Sequence, residues 1–556
     1  MTQTADLIIE NGRILTLDPE NPRVQALAVA NGRIIAIGSN DDMAHLRGAN
    51  TKVIDAKGNT VTPGFSENHM HLFSGAVELE HLQLAGILGH DALKSAVLAY
   101  AAKHPNHKFL YAQSADYSIL GAGRRLTRHD LDAILPDRPL VLFAGDHHTA
   151  WANTKALDVS GLLHGMTVGP GNEIVMGEDG KAEGELREME AFDPVLIAGG
   201  FSRYRLGLAT GGEPDPYPDA AEFAIDMDVM RRGLKHCAEH GITTIQNMDG
   251  NRYQLELLKA IEDQDGALPC RVKIPFHYKN FMTLDMLEKA SQMSKDYQSD
   301  FLNCGMVKMF YDGVIDSWTA VMIEPYANAP DEKPQPLFTP EEFKTIATEI
   351  DRRGLQIAVH SIGDGAVRAV LDGYEAAQKA NGKRDSRHRV EHIEVIHPDD
   401  IARFKQLGVI ASMQPIHAPG TGFPLEPTIS AIGKPRWPYS YAWRTLLNAG
   451  ARIAFASDWP VSPIDPILGI KAALTREKWQ ESDPDQTLTL HEALHAYCVE
   501  GAYADFSEDR KGMIKPGFYA DLVIFDGDME STDPQKLDEL KPATTMCGGR
   551  ITFSKQ

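Results

Sequence analysis

Thr60-Val61-Thr62-Pro63-Gly64-Phe65-Ser66-Glu67-Asn68-His69-Met70-His71 is an extended, largely apolar run that ends on two histidines. In a strand, residues i and i+2 point to the same face, so His69 and His71 offer two imidazoles to one ion. Imidazole suits Zn²⁺, Fe²⁺ and related cations. The chain has 21 histidines, so one such pair is weak evidence by itself.

Further along, short apolar runs recur, most of them followed by a helix-like segment, which is the α/β pattern. They are 241–246, 271–277, 306–311, 355–360, 388–392, 408–413 and 452–458, and with 60–71 they make eight. Eight is the strand count of a closed (β/α)₈ barrel, whose active site lies at the C-terminal ends of the strands. His360, His392 and Asp458 each end one of these runs, just before a polar loop. His360 or His392 alone could be a satisfied core histidine. Together with the His69/His71 pair, these residues at one edge are hard to assign to packing.

The chain ends read differently. Asp6–Glu10, Arg13–Leu17, Ala26–Val29 and Arg33–Gly38 are strand-like, punctuated by Asn11-Gly12 and Asn31-Gly32, dipeptides that suit hairpin turns. Tyr519–Asp526 and Gly548–Phe553 resemble them. The expectation is one small β-sandwich built by both termini, from residues 1–60 and 512–556, although two separate small sheets fit equally well. Residues 61–511 then form the barrel. Residues of about 73–235 are an insertion after its first strand, with strands of their own near 109–112 and 140–143.

Composition narrows the class. The 556 residues carry 55 Lys+Arg against 77 Asp+Glu, a net charge of −22, which opposes polyanion binding, so neither nucleic acid nor anionic membrane is an expected partner. Hydrophobic residues at 43% and charged residues at 24% are ordinary for a globular protein. No apolar run reaches the roughly 18 residues of a membrane span, and the N-terminus lacks the basic and apolar regions of a signal peptide. The five cysteines are scattered without a CxxC, which reads as reduced thiols in a cytoplasmic protein.

The pattern resembles the amidohydrolase superfamily of metal-dependent hydrolases, specifically amidohydrolase family 3, the group that includes N-substituted formamide deformylases. The resemblance covers nearly the whole chain. It is carried by Pro63-Gly64-Phe65 with His69-Met70-His71, the run 146–153, and Gly184-Glu185-Leu186-Arg187-Glu188. Val307–Gly313, His388–His392, Ser457-Asp458-Trp459-Pro460 and Ile514–Leu522 complete it. It implies one or two divalent ions, zinc foremost, at the barrel mouth. His69 and His71 match the ligands of the first strand, His360 and His392 those of strands five and six, and Asp458 the aspartate of strand eight. Lys308 matches the strand-four lysine that is carboxylated and bridges two metals in binuclear members. Glu67 and His147 depart from the family, standing where relatives often have Asp and Gly.

An ammonium cannot ligate a cation. Burial favours the neutral amine, which can capture CO₂ and become a carbamate with two oxygens to offer. The plainer alternative is that Lys308 pairs with Asp312. His148 and Trp151, in the insertion, are candidates for substrate contact, with helix start and core packing as the alternative. Glu391 points away from His392 and reads as supporting. His397 reads as a helix start, and His491 with His495 as packing.

The function these residues imply is cleavage of a carbon–nitrogen bond in a small-molecule amide by metal-activated water. Asp458 serves as general base and acid, and His148 is the second candidate for proton transfer. The rivals are a deaminase or cyclic-amide hydrolase on the same scaffold, or a non-catalytic binding or regulatory barrel. A homodimer is left open.

Overall fold

The computed structural model describes residues 4–121, 123–145, 149–169, 172–200 and 212–555. The chain divides into two units, Met1–Leu72 with Ala220–Gln556, and Phe73–Asp219. The architecture is mixed α/β.

In the first unit the strands anticipated from the sequence form two parallel sheets. One runs in the spatial order Leu302–Asn303, Arg271–Lys273, Ile242–Asn247, Phe65–Met70. The other runs Phe276–His277, Met306–Phe310, Gln356–Ser361, Arg389–His392, Ile410–Met413, Arg452–Phe455. Several of these strands are buried along their whole length, as strands covered on both faces must be. Hydrogen bonds also join the Phe65–Met70 strand to the segment around Arg452–Phe455. Asn68 Nδ2 donates to the Phe455 carbonyl at 2.7 Å, the Asp458 amide to His69 at 2.9 Å, and the His71 amide to Trp459 at 2.7 Å.

Two expected strands are each broken in two. The 60–71 run divides at Gly64, and its first half, Thr60–Pro63, enters a different sheet. A β-carbon at Gly64 would lie 2.2 Å from Thr243 Oγ1, so only glycine lets the chain pass there. The 271–277 run breaks at Ile274-Pro275, where proline has no N–H for a ladder.

The intervening helices follow local rules. Pro340–Arg352 starts with a capping box between Thr339 and Glu342 and has proline in its first turn. It buries Phe343, Ile346, Ala347 and Ile350, spaced at three and four residues. His397 caps the helix Pro398–Leu407, as its sequence suggested.

The terminal strands make two more sheets. One is Arg33–Gly38, Ala26–Ala30, Leu7–Glu10, Lys52–Asp55. The other mixes the two ends of the chain: Leu522–Phe525 pairs antiparallel with Thr60–Pro63. Leu7 and Leu27 of the first sheet share a buried cluster with Ile14, Val61, Leu522 and Met546 of the second. Asn31 and Gly32, both at positive φ, turn the hairpin between Ala26–Ala30 and Arg33–Gly38.

The second unit holds a six-stranded sheet that includes Leu110–Ala115, Leu140–Ala144 and Thr149–Ala152. The helix His90–Lys103 packs Leu93 and Val97 into its core. Among the described residues no helix is long and apolar enough to cross a membrane. All five cysteines are free.

Candidate metal centre

Three donor atoms converge where the Phe65–Met70 strand meets the segment after Arg452–Phe455. His71 Nε2 lies 3.1 Å and His69 Nε2 3.4 Å from the same oxygen, Asp458 Oδ1. The opposite nitrogen of each ring faces a carboxylate. His69 Nδ1 is 2.7 Å from Glu391 Oε2, and His71 Nδ1 is hydrogen-bonded to Asp249 Oδ2. An Nδ1 beside a carboxylate carries the proton, which leaves Nε2 as a lone pair. Two lone pairs and a carboxylate oxygen therefore point at one another. A cation among them turns that repulsion into attraction, so the donor set fits a divalent metal.

The titration behaviour follows from the same contacts. Burial opposes charge on His71, but Asp249 and then Asp458 outweigh it and hold the imidazolium up to about 10. A proton at Nε2 thus meets the demand that a metal would meet. Burial pushes His69 down to about 4, and Lys308 adds to the effect. Asp458 is held well below the carboxylate range despite burial, by His69, His71 and His392.

Glu391 is itself anchored. Arg389, fully buried, donates to both of its oxygens at 2.7 and 3.0 Å, and also to Gln246, the Asn68 carbonyl and Ser412. Against burial, Arg389 and His69 keep the Glu391 carboxyl at about 2. The aim of His69 therefore depends on a network that crosses four strands. Glu67, the departure noted before the histidine pair, accepts from the Ser457 amide at 2.7 Å and so ties the first strand to the residue before Asp458.

His392 belongs to a second group. One donor atom each from His392, His417 and Asp458 lie within 4.8 Å of one another, and Asp458 is shared with the His69–His71 group. His392 Nδ1 is 2.8 Å from Gln414 Oε1, which again leaves Nε2 as the lone pair. His360 stands beside it, with ring centroids 4.4 Å apart. The His360 Nε2 faces the Gly313 carbonyl at 3.1 Å, so its free nitrogen is Nδ1. Asp458 and His392 both have positive φ, 63° and 75°. Such strain costs about 1–3 kcal/mol per residue and gathers at functional sites.

Lys308 lies on the Met306–Phe310 strand, next to the Gln356–Ser361 strand that carries His360. It is fully buried, and among the described residues its Nζ has no hydrogen-bond partner. The pairing with Asp312 weighed as its alternative is absent. Asp312 instead accepts from the Ile362, Gly363 and Val321 amides at 2.9–3.0 Å. Burial lowers Lys308 to about 8.

Of the remaining candidates, His148 and its neighbour His147 lie outside the described residues. Trp151 is a core residue: it is 2% exposed, belongs to the apolar cluster of the second unit, and meets Tyr117 edge-on at 5.2 Å. Its alternation on an inner strand, between Ala150 and Ala152, buries it. Asp249, Gln414 and His417 escaped the sequence reading. Each follows a strand end, Ile242–Asn247 for the first and Ile410–Met413 for the others, which is the signal that picked out His392 and Asp458.

The model of the amidohydrolase family matches residues 52–553. The chain belongs to the amidohydrolase family. Similar members include Protein LONG AFTER FAR-RED 3 of Arabidopsis thaliana, 29% identical over 94% of this chain and 87% of that one. The N-substituted formamide deformylase of Arthrobacter pascens is 24% identical over 100% and 99%. Among solved structures, an uncharacterized metal-dependent hydrolase from Pyrococcus horikoshii superposes with a TM-score of 0.71 at 25% identity, covering 95% of this chain and 98% of that one. In this amidohydrolase the converging donors therefore sit in a chain whose structural relative is described as metal-dependent.

Proposed function

We propose that this amidohydrolase cleaves the carbon–nitrogen bond of a small-molecule amide, with the parallel strands closed as a (β/α)₈ barrel beside a β-sandwich of both termini. The observation that carries the reading is the convergence of His69 Nε2, His71 Nε2 and Asp458 Oδ1, each an acceptor, with Glu391 and Asp249 setting the two rings. His69, His71 and Asp458 would hold one divalent cation, zinc in this reading, and His392, His360 and a carboxylated Lys308 a second. The bound metal supplies Lewis acidity toward the acyl oxygen and makes water a stronger acid.

This chain's residues supply the rest. Asp458 is held well below the carboxylate range and stays ionised, so it can take a proton from the attacking water. Water oxygen bonds to the acyl carbon, the C–N bond breaks, and Asp458 returns the proton to the leaving nitrogen. The products are a carboxylic acid and an amine. Glu391 and Asp249 hold the two imidazoles in one tautomer throughout. For Lys308, a buried ammonium without a partner is costly, and a carbamate at that nitrogen would exchange it for an anion that the bound cations could pair.

The formamide deformylase relative directs the first substrates to N-substituted formamides and other short N-acyl amines. The test measures metal content and hydrolysis across formamides, N-acyl amino acids, ureas and cyclic amides, in the wild type and His69→Ala. Metal with amide hydrolysis in the wild type, and loss of both in the folded variant, is the expected result. Full metal and activity in His69→Ala would overturn the reading.

A further inference from the structure

His417 closes the short turn Pro415–His417 after the Ile410–Met413 strand. It is buried, and among the described residues its Nε2 has no hydrogen-bond partner. A polar atom left so costs about 1–3 kcal/mol. His388, a buried histidine with a packing role, shows the contrast. Its Nδ1 accepts from the Ile357 amide at 3.1 Å and its Nε2 is 3.1 Å from Asp351 Oδ1. Both of its nitrogens are engaged.

The His417 ring is also held in place. Phe423 stacks on it at 4.8 Å between centroids, and the His392 ring lies within 8° of parallel at 6.4 Å. Glu394 Oε1 stands 3.8 Å from its Nδ1. At the centre the corresponding nitrogens are hydrogen-bonded, His69 to Glu391, His71 to Asp249 and His392 to Gln414, whereas Glu394 stands beyond hydrogen-bond distance of His417. Finally, a donor atom of His417 lies within 4.8 Å of one from His392 and one from Asp458.

We propose that His417 is a metal ligand, donating Nε2 on the side of the centre formed by His392 and Asp458. The inference rests on the metal centre proposed above. It adds a ligand from the strand-seven loop, which none of the residues singled out from the sequence supplied. A buried nitrogen without a partner and a ring fixed by stacking suit a ligating imidazole, and the Glu394 carboxylate lies on the side of its far nitrogen.

The experiment titrates cobalt(II) into metal-depleted wild-type protein, His417→Ala, His417→Gln and His69→Ala, following the visible absorption bands of the bound ion. Circular dichroism checks that each is folded. The expected result is cobalt binding weakened at least about tenfold in both His417 variants, with altered bands. Unchanged affinity and bands in them, while His69→Ala binds weakly, would overturn this inference and leave the metal centre standing. Unchanged binding in His69→Ala would overturn the centre itself. If neither His417 variant folds, a crystal structure of the cobalt-loaded wild type decides: density joining His417 Nε2 to cobalt supports the proposal, and a ring turned away from the ion overturns it.

Discussion

Two buried lysines on strands of the same parallel set have opposite surroundings. Lys273 lies 2.9 Å from Asp505 Oδ1, and Lys511 reaches the other oxygen of Asp505 at 2.6 Å. Lys511 also donates to Thr244 at 3.2 Å. Lys308 is equally buried, and among the described residues its Nζ has no hydrogen-bond partner; nor has His417 Nε2. Gln356, the first residue of its strand, bonds to the Ala504 carbonyl beside Asp505, so the Asp505 carboxylate stands near that strand's N-terminal end. Asp458 follows the C-terminal end of the Arg452–Phe455 strand. Buried polar groups are normally satisfied, because leaving them unpaired costs stability. Where the same residue types stay unpaired together, the surplus capacity is available for a ligand.

The largest contrast is expected from two Asp→Asn substitutions. Asp458→Asn keeps the size of the side chain but removes its basicity, and should lower kcat by about two to four orders of magnitude. Asp505→Asn should leave hydrolysis per folded molecule unchanged. It strands two buried ammonium groups, however, and should cost about 3–5 kcal/mol of stability. Steady-state kinetics and denaturant unfolding on both variants would separate the two ends. An Asp458→Asn enzyme with near wild-type kcat would move the proton to another group.

A smaller effect is expected of the lysines themselves. Lys273→Met leaves Asp505 with one partner and should lower stability by about 1–3 kcal/mol. Lys308→Met removes a buried amine that has no hydrogen-bond partner, so its stability should not fall below that of wild type while hydrolysis is lost. Equal destabilisation in both would show that Lys308 has a partner and would break the comparison.

The smallest effect is on pH dependence. Burial raises the Asp505 carboxyl, but Lys273 and Lys511 outweigh it and hold the group well below its ordinary 3.8. Its folded value is thus depressed, so its contribution is complete above about pH 4 and is lost as pH falls further. Melting temperatures from pH 7 to 3 should fall more steeply below pH 4 for wild type than for Asp505→Asn. Parallel curves would mean that the pair does not titrate with unfolding.

The residues legible in the chain were those governed by local periodicity. Alternation along a strand put His69 and His71 on one face, and strand ends marked His392 and Asp458. The breaks at Gly64 and Pro275 were less visible, because the first depends on how closely Thr243 approaches from another strand. Trp151, which follows an apolar strand in the insertion, was open to either substrate contact or core packing, and the sheet buries it in the core.

The sequence by itself determined the α/β class, the family and the candidate metal ligands at the strand ends, since each depends on residue type and short spacing. Only the tertiary structure decided which nitrogen of each histidine is free, that Lys308 stands unpaired, and that His417 joins His392 and Asp458. The partners that settle these points are distant in the chain: Asp249 is 178 residues from His71, and Glu391 is 322 from His69. A hydrogen bond acts over about 3 Å of space, and no pattern of neighbouring residues records which far segment the fold brings within that reach.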